Sequence, residues 1–207
     1  MQDRRQEIVE AGLATLREHG YAGFTQPRVA ARAGLRQSHL TYYHPTRLDL
    51  LAAVGRAAVE RQLAAVDATL GGGHSSPEAA ARAIAEVVAR HENTRVFMAL
   101  AQAGDEEPRL RELFRELADG IVERVARFLG RLGRPGGPEA AEVPARLLHA
   151  LVVGLAVVDL ATGRPDGTQR AADVLQTALH LIAGGAGPAG QPSPGAARAA
   201  PQQGEQP

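Results

Sequence analysis

The chain has 207 residues, with 23 basic and 23 acidic side chains, so it has no net charge to draw it to nucleic acid or membrane. It holds no cysteine, which excludes disulfides and thiolate metal sites and suits a reducing compartment. The length suffices for a sizeable core, in one large domain or two small ones.

Every basic residue is arginine. Alongside abundant Ala, Gly and Pro, this reads as the compositional bias of a GC-rich genome rather than a preference for bidentate phosphate recognition. The first ten residues, MQDRRQEIVE, are charged and amphipathic and lack the apolar run of a signal peptide. The most apolar run, LLHALVVGLAVVDLA at 147–161, is shorter than a membrane span and carries His149 and Asp159. A cytoplasmic protein without membrane contact is therefore expected.

Helical periodicity dominates, and no alternating strand pattern stands out, so the expected class is all-α. The first helix should run from Asp3 to His19, with Ile8, Val9, Leu13 and Leu16 inward and Gly20 ending it. Tyr21 and Phe24 anchor a short connection. Thr25 can cap a second helix that has Pro27 in its first turn, Val29, Ala30 and Ala33 facing inward, and Gly34 as its stop. A third helix is expected over Gln37–Tyr43, broken by His44-Pro45.

Thr46 and Asp49 form a capping-box-like start to a fourth helix, reaching about Leu70 through Leu51, Val54, Ala58 and Leu63. The break GGGHSSP at 71–77 precedes helices expected over 78–91, 94–103 and 108–132. A loop at 132–138, a long helix over 139–162, a turn at 163–167 and a final helix over 168–183 follow. Residues 184–207 cannot bury a core and are expected to be a disordered tail. No internal repeat is evident.

The segment GLRQSHLTYYHPTR at 34–47 gathers groups that donate hydrogen bonds and stack, yet holds no carboxylate. Two short helices separated by a glycine turn, the second with a polar face, match a helix-turn-helix. A helix start favours acidic groups, but this one carries Arg36, which suits an anion opposite or a solvated position. Residues 19–48 contain no Asp or Glu and include Arg28, Arg32, Arg36 and Arg47, and all three tyrosines lie in this part of the chain. DNA fits such a zone: Arg and Tyr would position the phosphates, and Gln37 and its neighbours would read base edges. A small polar helix pair with a solvated face would share the pattern.

The segments EHGYAGFT, RVAARAGL and HLTYYHPTRLDLLAAV, within Arg5–Val54, resemble the DNA-binding head of the tetracycline-repressor (TetR) family of bacterial transcriptional regulators. Gly20, Tyr21, Thr25, Ala30, Ala33, Gly34, Leu40, Tyr43, Arg47, Leu50 and Leu51 carry the likeness, which extends less specifically along the helical body to about residue 183. Arg36 replaces the family's small capping residue, Thr41 its Tyr, His44 its Phe and Arg47 its Lys. These changes bear on any operator borrowed from relatives rather than on the fold.

The resemblance implies an N-terminal three-helix DNA-binding head at 1–47 and a helical effector-binding and dimerisation domain at 48–183. Carried over by position, Leu40 is core, and Arg36, Gln37, Ser38 and Thr41 face the major groove. Thr25, Gln26, His39, Tyr42 and Arg47 are placed to touch phosphates. The Tyr43 ring is placed to pack inward while its hydroxyl reaches the DNA backbone, and His44 is a turn residue.

The run at 147–161, apolar on nearly every side, needs cover all round, and a second subunit is its simplest source. Together with the resemblance this implies a two-fold dimer built as a four-helix bundle. Its expected interface comprises Leu147, Ala150, Leu151, Gly154, Leu155 and Val158, joined by the last-helix stripe Leu175, Leu179 and Ile182, with Ala172 beside it. The resemblance also implies an effector pocket within helices four to eight, lined by His91, Asn93, Gln102 and His149 beside Phe97, Met98 and Phe114.

Double-stranded DNA, a second copy and an unidentified small molecule are the expected partners, with no cofactor, metal or catalytic residue. Two other classes stay open on sequence: a small helical enzyme, and a helical adaptor whose acid-free patch meets an acidic protein. Against the enzyme, HENTR at 91–95 and GDEEPR at 104–109 lack metal-ligand spacing, and no nucleophile elbow or phosphate loop is present.

Overall fold

The structure, a computed structural model, describes residues 4–73, 76–89, 91–132 and 137–184. Its regular elements among these residues are all helices. They are α1 Arg4–His19, α2 Gln26–Arg32, α3 Gln37–Tyr43, α4 Arg47–Gly71, α5 Pro77–Val88, α6 His91–Ala103, α7 Pro108–Arg131, α8 Gly137–Thr162 and α9 Gly167–Gly184. The tail expected beyond Gly184 lies outside the described residues. The break between α5 and α6 falls earlier than the periodicity suggests. The Ala89 N–H bonds back to the Ala85 carbonyl and closes α5, so 91–94 forms the first turn of α6 rather than a connector.

Local chemistry shapes the head. Gly20 and Gly34 sit at φ 61° and 66°, a backbone region that costs little only for glycine, and they end α1 and turn α2 into α3. The Thr25 hydroxyl accepts from the Arg28 N–H to cap α2, and Pro27 occupies the first turn. Thr46 and Asp49 form the full reciprocal capping box of α4. These elements close on Ile8, Leu16, Phe24, Val29, Leu40 and Leu50, all fully buried. Leu40 is the single buried residue of α3, and α3 docks chiefly on α2.

The head–body boundary expected at 47/48 falls at the first residue of α4, whose 25 residues span about 38 Å. Its first turns fill the head core through Leu50, Leu51 and Val54, and the rest runs along α7 in the body. Close approach there needs Gly55, because a Cβ would lie 3.1 Å from Leu110 and 3.3 Å from Leu113.

In the body, α7 packs on α8 and α9 lies along α5. This second pairing corrects one expectation. Leu175, Leu179 and Ile182 were expected at a subunit interface, yet they are buried within the chain, because their stripe is what α9 uses to dock on α5. The face of α9 turned outward carries Val174 and Leu181 instead.

Asp159 does not interrupt the apolar helix at random. It is buried at the α8–α9 corner, with Arg170 3.8 Å away and Gly167 pressed against its carboxylate, where a Cβ would collide.

Helix α8 shows three faces. Ala141, Ala145 and Leu148 are buried in the core. His149, Val152 and Ala156 line an internal cavity. Val143, Leu147, Ala150, Gly154 and Val158 form an exposed stripe, with Leu147 61% exposed and Val143 75%. Ala140–Thr162 is longer than the apolar run read from sequence and, by length and composition alone, apolar enough to cross a bilayer. The Glu142–Arg146 pair, the buried Asp159 and the cavity-lining face are features of a helix packed in a protein body.

Gly12 on α1 sits at a close approach of α1 to α4. A Cβ there would come within 2.4 Å of the Val54 Cγ2, and Val54 is fully buried. Gly12→Ala is therefore expected to destabilise the fold by about 1–3 kcal/mol despite alanine's better helix propensity. Denaturant unfolding followed by far-UV circular dichroism would read this as a lower midpoint, and an unchanged or raised midpoint would refute the close packing.

Candidate nucleic-acid interface and ligand cavity

The sequence expected α3 to be a reading helix, and its exposure pattern suits that role. Leu40 is buried, while Arg36, Gln37, Ser38 and His39 are exposed and Tyr42 is 82% exposed. A large ring held in water with no apolar cover suits contact with another molecule. Tyr42 and Tyr43 meet edge to face at 5.2 Å, and Arg5 of α1 lies over the half-buried Tyr43 ring. The Tyr43 ring thus packs inward against the core. Arg36 stands at the N-cap of α3 without making a capping hydrogen bond, so the helix start remains available to an anion. Thr41 is half-buried and donates to the Ser38 carbonyl.

A second feature lies in the body. A cavity of about 440 Å³ opens among α4–α8, within the usual size range of small-molecule pockets. Asn93, Phe97, Met98, Phe114 and His149 line it, and the two Phe rings meet edge to face at 6.2 Å. Gln102 is exposed and absent from the lining, because its position on α6 turns it outward. The His91 side chain lies outside the described residues. Gln62 and Thr69 of α4 and Thr94 of α6 also line the wall, although the sequence reading did not single them out. Burial lowers the pKa of His149, which favours a neutral imidazole.

Two family models match this chain. Residues 75–184 match a tetracyclin repressor-like C-terminal domain, and residues 8–54 match the bacterial regulatory proteins of the tetR family. The chain belongs to the TetR family. It is a DNA-binding transcriptional regulator, of a family whose members are generally not enzymes.

No curated protein matches the chain. Among solved structures, a transcriptional regulator from Rhodococcus sp. Rha1 is 25% identical, with a TM-score of 0.75 over 87% of this chain and 96% of its own. A TetR-family member from Streptomyces coelicolor A3 is also 25% identical, with a TM-score of 0.66, covering 86% and 98%. The multidrug binding protein EbrR complexed with imidazole is 27% identical, with a TM-score of 0.63, covering 86% and 96%.

Within this TetR-family head, several groups expected at phosphates are used by the protein itself. The main correction is Arg47, whose half-buried guanidinium makes three hydrogen bonds. Its Nε donates to the Phe24 carbonyl at 2.8 Å, one terminal nitrogen to the Tyr21 carbonyl at 2.9 Å, and the other to the Tyr21 hydroxyl at 3.0 Å. The guanidinium also lies 4.2 Å from the centroid of the Tyr21 ring. A planar fork of donors fits carbonyls that turn toward one point, so Arg47 fastens the α1–α2 connection to the start of α4.

Gln26 similarly donates to the His44 carbonyl, tying α2 to the end of α3. In the acid-free zone, Arg28 is held by the Gly23 carbonyl and Arg32 by Glu18, which lies just outside the zone. Glu18 thus offsets one charge of the zone, the carbonyl-bonded guanidinia keep theirs, and Arg36 stands exposed at the α3 start.

The Tyr21 hydroxyl donates in turn to Glu106, in the connection between α6 and α7. Nearby, Arg109 bridges Asp49 of the α4 cap and Glu107, which caps α7. The Asp49 carboxyl is held below its usual range, first by the Thr46 hydroxyl and then by Arg109; that of Glu107 is lowered chiefly by Arg109. These bonds join the DNA-binding head to the helices that wall the cavity.

Arg47→Ala should lower global stability by about 1–3 kcal/mol, because it leaves the carbonyl of the buried Phe24 without its partner among the described residues and unties α4 from the α1–α2 connection. Arg47→Lys should recover only a small part, since an ammonium cannot reproduce the fork. Thermal melts of both variants check this; full recovery by lysine would mean that charge alone matters at this position.

Proposed function

We propose that this regulator is a homodimeric, cytoplasmic repressor that holds a palindromic operator and releases it when a small molecule fills the cavity. The observation that carries the reading is the exposed face of α3. It presents Arg36, Gln37, Ser38, His39 and Tyr42 outward on a helix pinned by one buried leucine. Gln37 and Ser38 are the base readers in this reading, with Thr41 at the edge of the face. Arg36 lies at the groove end of the helix. His39 and Tyr42, with Thr25 at the α2 cap, meet phosphates.

The exposed apolar stripe of α8, with Val174 and Leu181 of α9, supports a subunit interface. Ala150 and Gly154 in that stripe allow close helix approach, and the half-buried Leu151 and Leu155 flank it. A two-fold pair of heads would then meet successive major grooves about 34–36 Å apart. Release follows from differential affinity. A ligand bound between α6 and α7 favours one placement of those helices, and the Tyr21–Glu106 and Asp49–Arg109 bonds carry that preference to the head. That the multidrug binding protein EbrR holds imidazole and proflavin supports a small-molecule effector; the charge such an effector carries depends on the wall of this chain's own cavity.

Selection of retained fragments from random and own-genome DNA at near-physiological salt tests the reading. An enriched inverted repeat is expected. Gln37→Ala should relax preference at one position of each half-site, costing about 1–3 kcal/mol, without lowering the melting temperature. Retention without any enriched motif, or a Gln37→Ala protein with unchanged preference, would refute the assignment of α3 as the reader.

Leu147→Glu places a charge in the middle of the exposed α8 stripe and should convert a dimer to a folded monomer with much weaker operator binding. Sedimentation velocity reads the mass directly. A monomeric parent protein, or a variant that remains dimeric, would move the interface elsewhere.

A further inference from the structure

The reading of the cavity as an effector site leaves open what kind of molecule it admits, and the wall chemistry narrows this. Among the described residues, no Asp, Glu or Arg lines the cavity. Its polar contributions come from Gln62, Thr69, Asn93, Thr94 and His149, all uncharged when the imidazole is neutral. Part of that polarity is already committed. The Asn93 amide donates to the Gln62 carbonyl oxygen at 3.1 Å, and the Thr69 hydroxyl donates to the Ala65 carbonyl of its own helix.

His149 differs from these groups. No described residue hydrogen-bonds its ring, and burial acts on it alone. A neutral imidazole offers one donor and one acceptor. Among the described residues, the Gln62 amide nitrogen and the Asn93 oxygen are the ends of their pair left open. The mouth is apolar as well: Met98, Val153 and Val157 line the cavity and are also solvent-exposed.

An ion entering such a space loses its hydration and finds no opposite charge, so its burial is penalised far more than that of a neutral molecule of equal size. Two phenyl rings offer a cation some compensation, but Phe97 and Phe114 meet edge to face rather than as parallel walls around a centre.

We infer that the cavity takes an uncharged, predominantly apolar ligand with one or two hydrogen-bonding groups, met by His149 and the Gln62–Asn93 pair. It discriminates against permanent anions and cations. This inference rests on the effector-site reading above, and its test separates the two.

The full chain is loaded with the neutral fluorophore N-phenyl-1-naphthylamine at pH 7.5. It is then titrated with 1-decanol, decanoate or decyltrimethylammonium, each below its micellar range. These competitors share a ten-carbon chain and differ in charge. Decanol should displace the probe at concentrations roughly tenfold or more below either ion. Ala156→Phe and Val153→Phe, whose melts report whether they fold, should abolish or sharply weaken displacement by filling the cavity and its mouth. His149→Leu should weaken decanol roughly 2–10-fold while leaving decane unchanged, because only the hydrogen bond is lost.

Parity between decanol and either ion overturns the ligand class but leaves the effector-site reading standing. Decanol binding that survives both phenylalanine variants in folded protein overturns the inference by placing the ligand elsewhere. Failure of the probe and all three competitors to bind overturns the inference and the effector-site reading together.

Discussion

The arrangement depends on how one long helix is fastened at its start. The first turn of α4 is held twice: by the Thr46–Asp49 capping box, and by the Arg47 guanidinium seated on the carbonyls of Tyr21 and Phe24. The box satisfies helix donors and fixes where α4 begins. The guanidinium fixes where that start lies relative to α1 and α2. Because the same helix continues into the body, its start cannot shift without dragging the α1–α2 connection and the docked α3. A helix of seven residues such as α3 is too short to hold its own position. Its aim comes from Leu40 beneath it and from the anchored helices around it.

The body answers a different constraint. Helix α8 is apolar nearly all round and must satisfy three environments at once: a core side, a cavity side and an outward side. Small residues appear where a second helix would press closest, at Ala150 and Gly154 of the outward stripe. The lone charge in its apolar half, Asp159, is placed at the corner with Gly167 and Arg170, where a carboxylate suits the start of α9. Polarity in this helix is therefore sparse and positional, and His149 is its one polar group on the cavity wall.

How much of this was legible in sequence depends on the range of the interaction. Caps, glycine stops and the buried stripe of α1 are local, so the head helices and the Thr46 box could be read within a residue or so. Which face of α9 is buried depends on α5, roughly a hundred residues away, and a periodic stripe does not say whether its own chain or a partner covers it. Leu175, Leu179 and Ile182 were misplaced for that reason. Arg47 was misread similarly: an arginine beside a polar helix suggests phosphate, and only the folded α1–α2 connection shows carbonyls already converging on it. For Gln62, Thr69 and Thr94, a signal was present as polar groups on the inner sides of α4 and α6, but nothing local separated them from solvated positions.

The head's electrostatics follow from the same accounting. The chain has no net charge, and within the acid-free zone Arg28, Arg32 and Arg47 are held by protein acceptors. Of these, only Arg32 meets a carboxylate; the guanidinia of Arg28 and Arg47 bond neutral acceptors and keep their charge, so what the bonding fixes is where that charge sits. In the proposed reading, recognition rests on the neutral donors and acceptors of α3 and on cations held in place, with Arg36 the charge set at the helix start. In the proposed mechanism, a small shift of α4, passed from a filled cavity through Tyr21–Glu106 and Asp49–Arg109, would misplace donors and cations that are already fixed, and so cost the operator.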